Sequence, residues 1–155
     1  MTESLEPIKE PRRAPSKRIP KRAYASFIGQ LEIQQVWLTS LVFTNHSAAN
    51  KPENADVSLS YSNRWDFGDE EFVARTRYEV AFAVPGDEEP VLHFDVVYSA
   101  TFASSERPPD NYMDQFCASS LQLILWPHLR QLVHDHLGRA NWGPFSIPTF
   151  KVGLI

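Results

Sequence analysis

Cys117, His128, His134 and His136, with Asp110, Asp114 and Asp135 close by in sequence, are the side chains whose types could carry chemistry as a group. A thiol beside an imidazole would make a nucleophile, and His with Cys would make a zinc site. Their spacing argues against both. On a helix, residues two apart point to different faces, so His134 and His136 do not converge on one ion. Cys117 precedes His128 by about three helical turns, too far for a local pair. The chain has no Gly-X-Ser-X-Gly elbow to present a serine near His128, Asp135 or His136, and no Gly-rich phosphate loop. No catalytic residue, metal or cofactor is therefore expected. Cys117 reads as a small core residue and the histidines as the polar face of a helix.

The elements that carry these residues have to come from 155 residues that are 43% hydrophobic, enough for one domain with a closed core. The net charge of −4 is mild, but its distribution is uneven. Residues 1–22 hold seven Lys or Arg against three Glu, while the remainder holds eight basic and sixteen acidic side chains. Four of the twelve prolines also fall in that first stretch. Residues 1–26 are expected as a disordered, basic, proline-rich tail, and residues 27–155 as one domain. A basic tail can bind nucleic acid, but the acidic body argues against that partner. One cysteine rules out an internal disulfide and fits a reducing, cytoplasmic setting. No run approaches the ~20 apolar residues of a membrane span, and no signal-peptide stretch opens the chain.

Residues 31–44 read as a strand whose apolar register slips at Gln34-Gln35, as a bulge would cause. A loop with Asn45, Asn50 and Pro52 follows, then strict alternation from Val57 to Ser62, with one face apolar and one hydroxylated. Phe72, Ala74, Thr76, Tyr78, Val80, Phe82 and Val84 share a face of a third strand. After a Pro85-Gly86 turn, Leu92, Phe94, Val96, Tyr98, Ala100 and Phe102 share a face of a fourth. Short connections make neighbours antiparallel, which gives a four-stranded antiparallel β-meander with one buried face.

Pro108-Pro109-Asp110 opens the helical part, with Asp110 as N-cap. Met113, Cys117, Ser120, Leu121 and Ile124 form a stripe able to cover the sheet. Pro127 should kink or restart the helix, and Leu129, Leu132, Val133 and Leu137 carry its apolar face on to a stop at Gly138-Arg139. Strands followed by helices packed on one face define an α+β fold. Beyond the stop, Trp142 and Phe145 flank Gly143-Pro144 in a loop and are expected to be at least partly exposed. Apolar side chains displayed on such a loop point to binding rather than catalysis.

These segments together resemble the SecB family of holdase chaperones, including the SecB-like members of toxin–antitoxin systems. The resemblance covers residues 27–150. Leu31-Glu32-Ile33-Gln34-Gln35-Val36-Trp37 is similar to the family's opening strand, and Ser99-Ala100-Thr101-Phe102 to the exit of its fourth. Leu125-Trp126-Pro127-His128-Leu129-Arg130 resembles the helix signature Leu-aromatic-Pro-aromatic-X-Arg, with His128 in place of a tyrosine. Ile147-Pro148-Thr149-Phe150 stands where the family has Pro-X-Asn-Phe.

The resemblance implies an ATP-independent chaperone that holds unfolded or aggregation-prone polypeptides in apolar grooves and assembles as a homotetramer, a dimer of dimers. Carried over, it marks Trp126, Trp142, Pro144, Phe145, Ile147 and Phe150 as client-binding. It assigns Leu92, Phe94, Val96 and Tyr98 to subunit assembly, and Asp95 to contact with the SecA motor. The chain ends at Ile155, without the family's C-terminal helix and acidic tail. That weighs toward a client-specific chaperone, for example guarding an antitoxin, over protein export. A reading of another class is a small hot-dog-like thioesterase, for which Asp110 or Asp114 would supply the carboxylate.

Overall fold

Two-residue alternation and helical spacing give seven elements in the computed structural model, which describes residues 18–47, 54–143, 145, 147, 148 and 150. In chain order they are α1 (Lys21–Gln30), β1 (Glu32–Asn45), β2 (Asp56–Phe67), β3 (Glu71–Ala83), β4 (Leu92–Ala103), α2 (Asp110–Ala118) and α3 (Ser120–Arg139). Four antiparallel strands with helices after them make the α+β class expected from the sequence. The strand order is β1-β4-β3-β2. Only β2, β3 and β4 form a meander. β1 pairs with β4 instead of β2, so β1 and β2 are the two edges. No tight-turn sequence joins β1 to β2, and a long connection does not dictate which strand becomes the neighbour.

The alternation fixes the faces. Phe72, Ala74, Thr76, Tyr78, Val80 and Phe82 of β3 are all buried, as are Leu92, Phe94, Val96, Tyr98, Ala100 and Phe102 of β4. The expected bulge is present, with a register shift between Ile33 and Gln35. A second shift, between Leu38 and Ser40, has no cue in the alternation. Gly86 takes φ 91° in the β3–β4 turn, a left-handed conformation open to it because it lacks a side chain.

The helices cover this buried face with Met113, Phe116 and Cys117 of α2 and Leu121, Leu125, Trp126, Leu129, Val133 and Leu137 of α3. Two local expectations are corrected. Asp110 is the first helical residue, Pro109 holds the N-cap position, and no side-chain cap is made. The helical run also breaks at Ser119 (φ −125°, ψ −79°), and α3 does not restart at Pro127 but runs through it. At Ser119 side chains take over carbonyls of α2: the Ser119 hydroxyl donates to Gln115 O at 2.6 Å and Gln122 Nε2 to Cys117 O at 3.0 Å. Pro127 deprives only the Leu123 carbonyl of its partner N–H. Both residues lie on the exposed side of α3, where that carbonyl can turn to water.

The N-terminal boundary also moves. Residues expected in the disordered tail, Lys21 to Ser26, belong to helix α1. Tyr24 and Phe27 hold it against α2, with ring centroids 6.3 Å (Tyr24–Tyr112), 5.6 Å (Phe27–Tyr112) and 6.3 Å (Phe27–Phe116) apart. Two aromatic anchors one turn apart suffice to dock a short helix, and the basic composition around them masked that signal. Residues 1–17 lie outside the described residues.

Candidate functional site

Helix α3 ends in a way that decides where its loop aromatics go. Asn141 takes φ 59°, Asn141 N–H donates to Gly138 O at 3.2 Å, and Trp142 N–H donates to Leu137 O at 3.0 Å. This is a Schellman motif, with Asn141 rather than Gly138 as the left-handed stop. The motif turns the chain back over the helix end, so Trp142 packs on Phe82 of β3 (centroids 5.3 Å apart) and its Nε1 donates to Ser47 Oγ at 3.3 Å. Only 4% of Trp142 is exposed, contrary to the expectation of a displayed aromatic.

Past this turn the chain meets an uncovered margin of the sheet. Val57 and Leu59 of β2 pair with Phe82 and Val80, on the face that the helices cover, but the cover stops short of them. Val57 is 40% exposed and Leu59 half-buried. With Trp126 of α3 and with Phe145, Ile147, Pro148 and Phe150 they line an apolar groove of about 490 Å3. Phe145 packs edge-on to Phe82 at 5.4 Å and Phe150 lies 5.2 Å from Trp126. Beside the groove runs β2, which has no strand partner on its outer side among the described residues.

Of the residues expected to bind a client, Trp126, Phe145, Ile147 and Phe150 come together in this groove. Trp142 is in the core, and Pro144 lies outside the described residues. Sequence reasoning missed Val57 and Leu59. Their alternation was visible, but it was read as one buried face, and which strand ends at an edge is a topological fact.

Residues expected in subunit assembly stand elsewhere. Leu92, Phe94, Val96 and Tyr98 point into the helix-covered core, and Tyr98 Oη donates to His128 O of α3 at 3.1 Å. Strand parity excludes them from an interface, because their face is the one that α3 already covers. Asp95 is on the open face, as expected. It is engaged by Arg77, whose Nε and Nη2 donate to its two carboxylate oxygens at 2.8 and 2.6 Å. This hydrogen bonding raises the Arg77 pKa above its ordinary value, against the lowering effect of desolvation.

The thiol of α2 and the imidazoles of α3 do not converge. His134 Nδ1 lies 3.2 Å from Phe145 O, while His136 Nδ1 turns back to Leu132 O at 2.8 Å. Cys117 is buried in the core. No group of three His, Cys, Asp or Glu able to hold a metal occurs among the described residues. Nor is any of their helices long and apolar enough to cross a membrane.

An apolar groove next to an open sheet edge is a geometry that extended polypeptides can occupy. The fold that carries it is the SecB-like one. The chain is similar to a solved SecB-like chaperone of Mycobacterium tuberculosis, Rv1957, at a TM-score of 0.74 and 19% identity, covering 86% of this chain and 100% of that one. That structure holds the chaperone in complex with a ChAD peptide from the HigA1 antitoxin. A protein of unknown function from Streptococcus agalactiae matches at a TM-score of 0.40 and 7% identity, covering 76% of this chain and 96% of that one. No protein-family model and no curated protein matches the chain.

Proposed function

We propose that this protein is an ATP-independent holdase that receives extended, apolar stretches of unfolded polypeptide in the groove between β2, α3 and the C-terminal segment. The observation that carries this reading is the juxtaposition of that groove with the outer edge of β2, which has no strand partner among the described residues. A client can add main-chain hydrogen bonds along β2 while its side chains enter the groove. Each fully buried Leu or Phe contributes roughly 1.5–3 kcal/mol, less the cost of ordering the client, so one groove binds modestly. Several grooves in one assembly would turn modest contacts into slow release.

The client class favoured within this reading is a dedicated partner such as an antitoxin, by analogy with the peptide held by the mycobacterial neighbour. Export is the second reading. Contact of Asp95 with a motor would first have to open its ion pair with Arg77. Assembly as a tetramer and residence in a reducing cytoplasm belong to the same proposal. Exposed apolar side chains on β1, namely Ile33, Leu38 and Val42, support that strand as the assembly surface.

The test is suppression of aggregation of a chemically denatured client without nucleotide. Equimolar protein should suppress it. Val57→Ser with Leu59→Ser, both on an edge strand and neither in the buried core, should weaken suppression severalfold while the circular dichroism spectrum stays unchanged. Aggregation that proceeds unaltered at a severalfold excess of protein would overturn the holdase reading.

A further inference from the structure

Trp126, Arg130 and His134 stand four residues apart on α3, and each meets a different main-chain carbonyl of the C-terminal segment. Trp126 Nε1 donates to Pro148 O at 2.7 Å, and Arg130 Nε donates to Ile147 O at 2.8 Å. His134 Nδ1 lies 3.2 Å from Phe145 O. Four-residue spacing places the three side chains in one row along the helix. Moving toward the C-terminus of α3, the row meets carbonyls ever earlier in the segment, so the two run antiparallel. The segment's own side chains enter the apolar groove, Phe145 against Phe82 and Phe150 against Trp126.

A row of side chains that reads main-chain oxygens, above a trough that takes apolar side chains, suits an extended apolar peptide. It sets no sequence requirement beyond apolarity. In cis, the carbonyls of Phe145, Ile147 and Pro148 take up the row, and Phe145 and Phe150 stand at the trough, of which about 490 Å3 is left open. Their attachment is local, because Trp142 is fixed in the core by the Schellman turn and only the chain beyond it has to leave.

We propose that the segment carrying Phe145, Ile147, Pro148 and Phe150 is a built-in partial occupant of this site, a competitor that an incoming client displaces, and that Trp126, Arg130 and His134 then hold the client's main chain. The inference rests on the client-binding reading of the groove given above. A short tether holds such a competitor at an effective concentration on the order of millimolar. Weak apolar contacts are thereby refused, while a longer stretch that also pairs with β2 wins the site.

The experiment compares full-length protein with a chain ending at residue 144, using two probes. The first is a fluorescein-labelled peptide with the sequence of residues 143–150; the second is a reduced, carboxymethylated, permanently unfolded protein. Removing the competitor should tighten peptide binding by tenfold or more. Ile147→Ser with Phe150→Ser in the full-length chain should tighten it in the same direction, which covers the case of a truncated chain that folds poorly. Within the truncated chain, Arg130→Met should weaken peptide binding severalfold, because a carbonyl loses its donor. Equal or weaker binding after truncation, with the unfolded protein still bound by the full-length form, would make the segment a groove wall. That result overturns this inference alone. Failure of both forms to bind the unfolded protein would instead remove the client reading, and the competitor role with it.

Discussion

Gln122 of α3 accepts the hydroxyl proton of Tyr78 of β3 at a site where both side chains are fully buried. The Gln122 amide nitrogen faces three further acceptors: Asn63 Oδ1 at 3.0 Å, Cys117 O at 3.0 Å and Thr76 Oγ1 at 3.2 Å. Thr76 in turn donates to Asn63 Oδ1 at 2.6 Å. One glutamine therefore joins α2, α3, β2 and β3. Among the described residues, no buried side-chain nitrogen or oxygen is left without a partner. A fully satisfied network of this kind fixes one register of α3 on the sheet. Trp126 follows Gln122 by one helical turn and rests edge-on against Tyr78 at 6.1 Å, so the network also sets one wall of the groove.

Replacing Gln122 by Leu keeps the volume and removes every bond that Gln122 makes, leaving only that between Thr76 and Asn63. The Tyr78 hydroxyl is then buried without an acceptor, at a cost of about 1–3 kcal/mol. Urea unfolding should show that loss. Adding Tyr78→Phe should recover part of it, because the orphaned hydroxyl leaves with its ring. Simple additivity of the two changes would contradict the network.

Tyr78 also predicts the alkaline limb of stability. Desolvation foremost, and the nearby Tyr61, raise its pKa well above the ordinary value, and burial raises that of Tyr98. In the unfolded chain a tyrosine loses its proton near pH ~10, while the folded protein retains it. The unfolded state then binds fewer protons, so stability falls as pH rises. The contribution is fully present below pH ~10 and is lost from there toward the raised folded value. Tyr78→Phe should flatten this limb in urea titrations above pH ~10 and leave the neutral plateau without a pH slope of its own. An unchanged alkaline slope would refute the assignment.

Trp142 separates packing from client contact. With 4% of its surface exposed and its ring on Phe82, Trp142→Ala should cost roughly 3–5 kcal/mol, the range of large core truncations. The thermal midpoint should drop accordingly. A full-length Trp142→Ala protein of unchanged melting temperature would return this residue to the client-facing surface.

Much of this fold is legible in the residues themselves. Two-residue alternation placed the buried faces of β3 and β4, and the helix stripe from Met113 to Leu137 found its cover. Three kinds of information were not local. That β1 lies beside β4 depends on a long connection with no turn grammar, and with it went the recognition of Val57 and Leu59 as a groove wall. The burial of Trp142 depends on a left-handed Asn141, which hydropathy does not report. The expected interface on Leu92, Phe94, Val96 and Tyr98 required knowing which face of β4 the helices would take. Trp126, Phe145, Ile147 and Phe150, which the family resemblance marks, line one apolar groove together with Val57 and Leu59.

Strand β1 supplies the last prediction. It is an edge strand, and Ile33, Leu38 and Val42 on it are 47%, 43% and 58% exposed. Val42 pairs with Asp95 on the open face of the sheet, while Ile33 and Leu38 pair with Phe102 and Tyr98 on the covered face. An edge with apolar groups on both faces, and with no strand on its outer side among the described residues, is prone to pairing with another chain. Self-assembly along β1 would cover all three groups and leave the groove at β2, on the opposite edge, open to a client. Leu38→Asp with Val42→Asp should therefore reduce the molar mass seen by light scattering while the circular dichroism spectrum is kept. Client binding per groove should persist, with faster release, because linked grooves no longer act together. A wild-type protein that is monomeric at micromolar concentration, or a double variant of unchanged mass, would exclude β1 as the assembly surface.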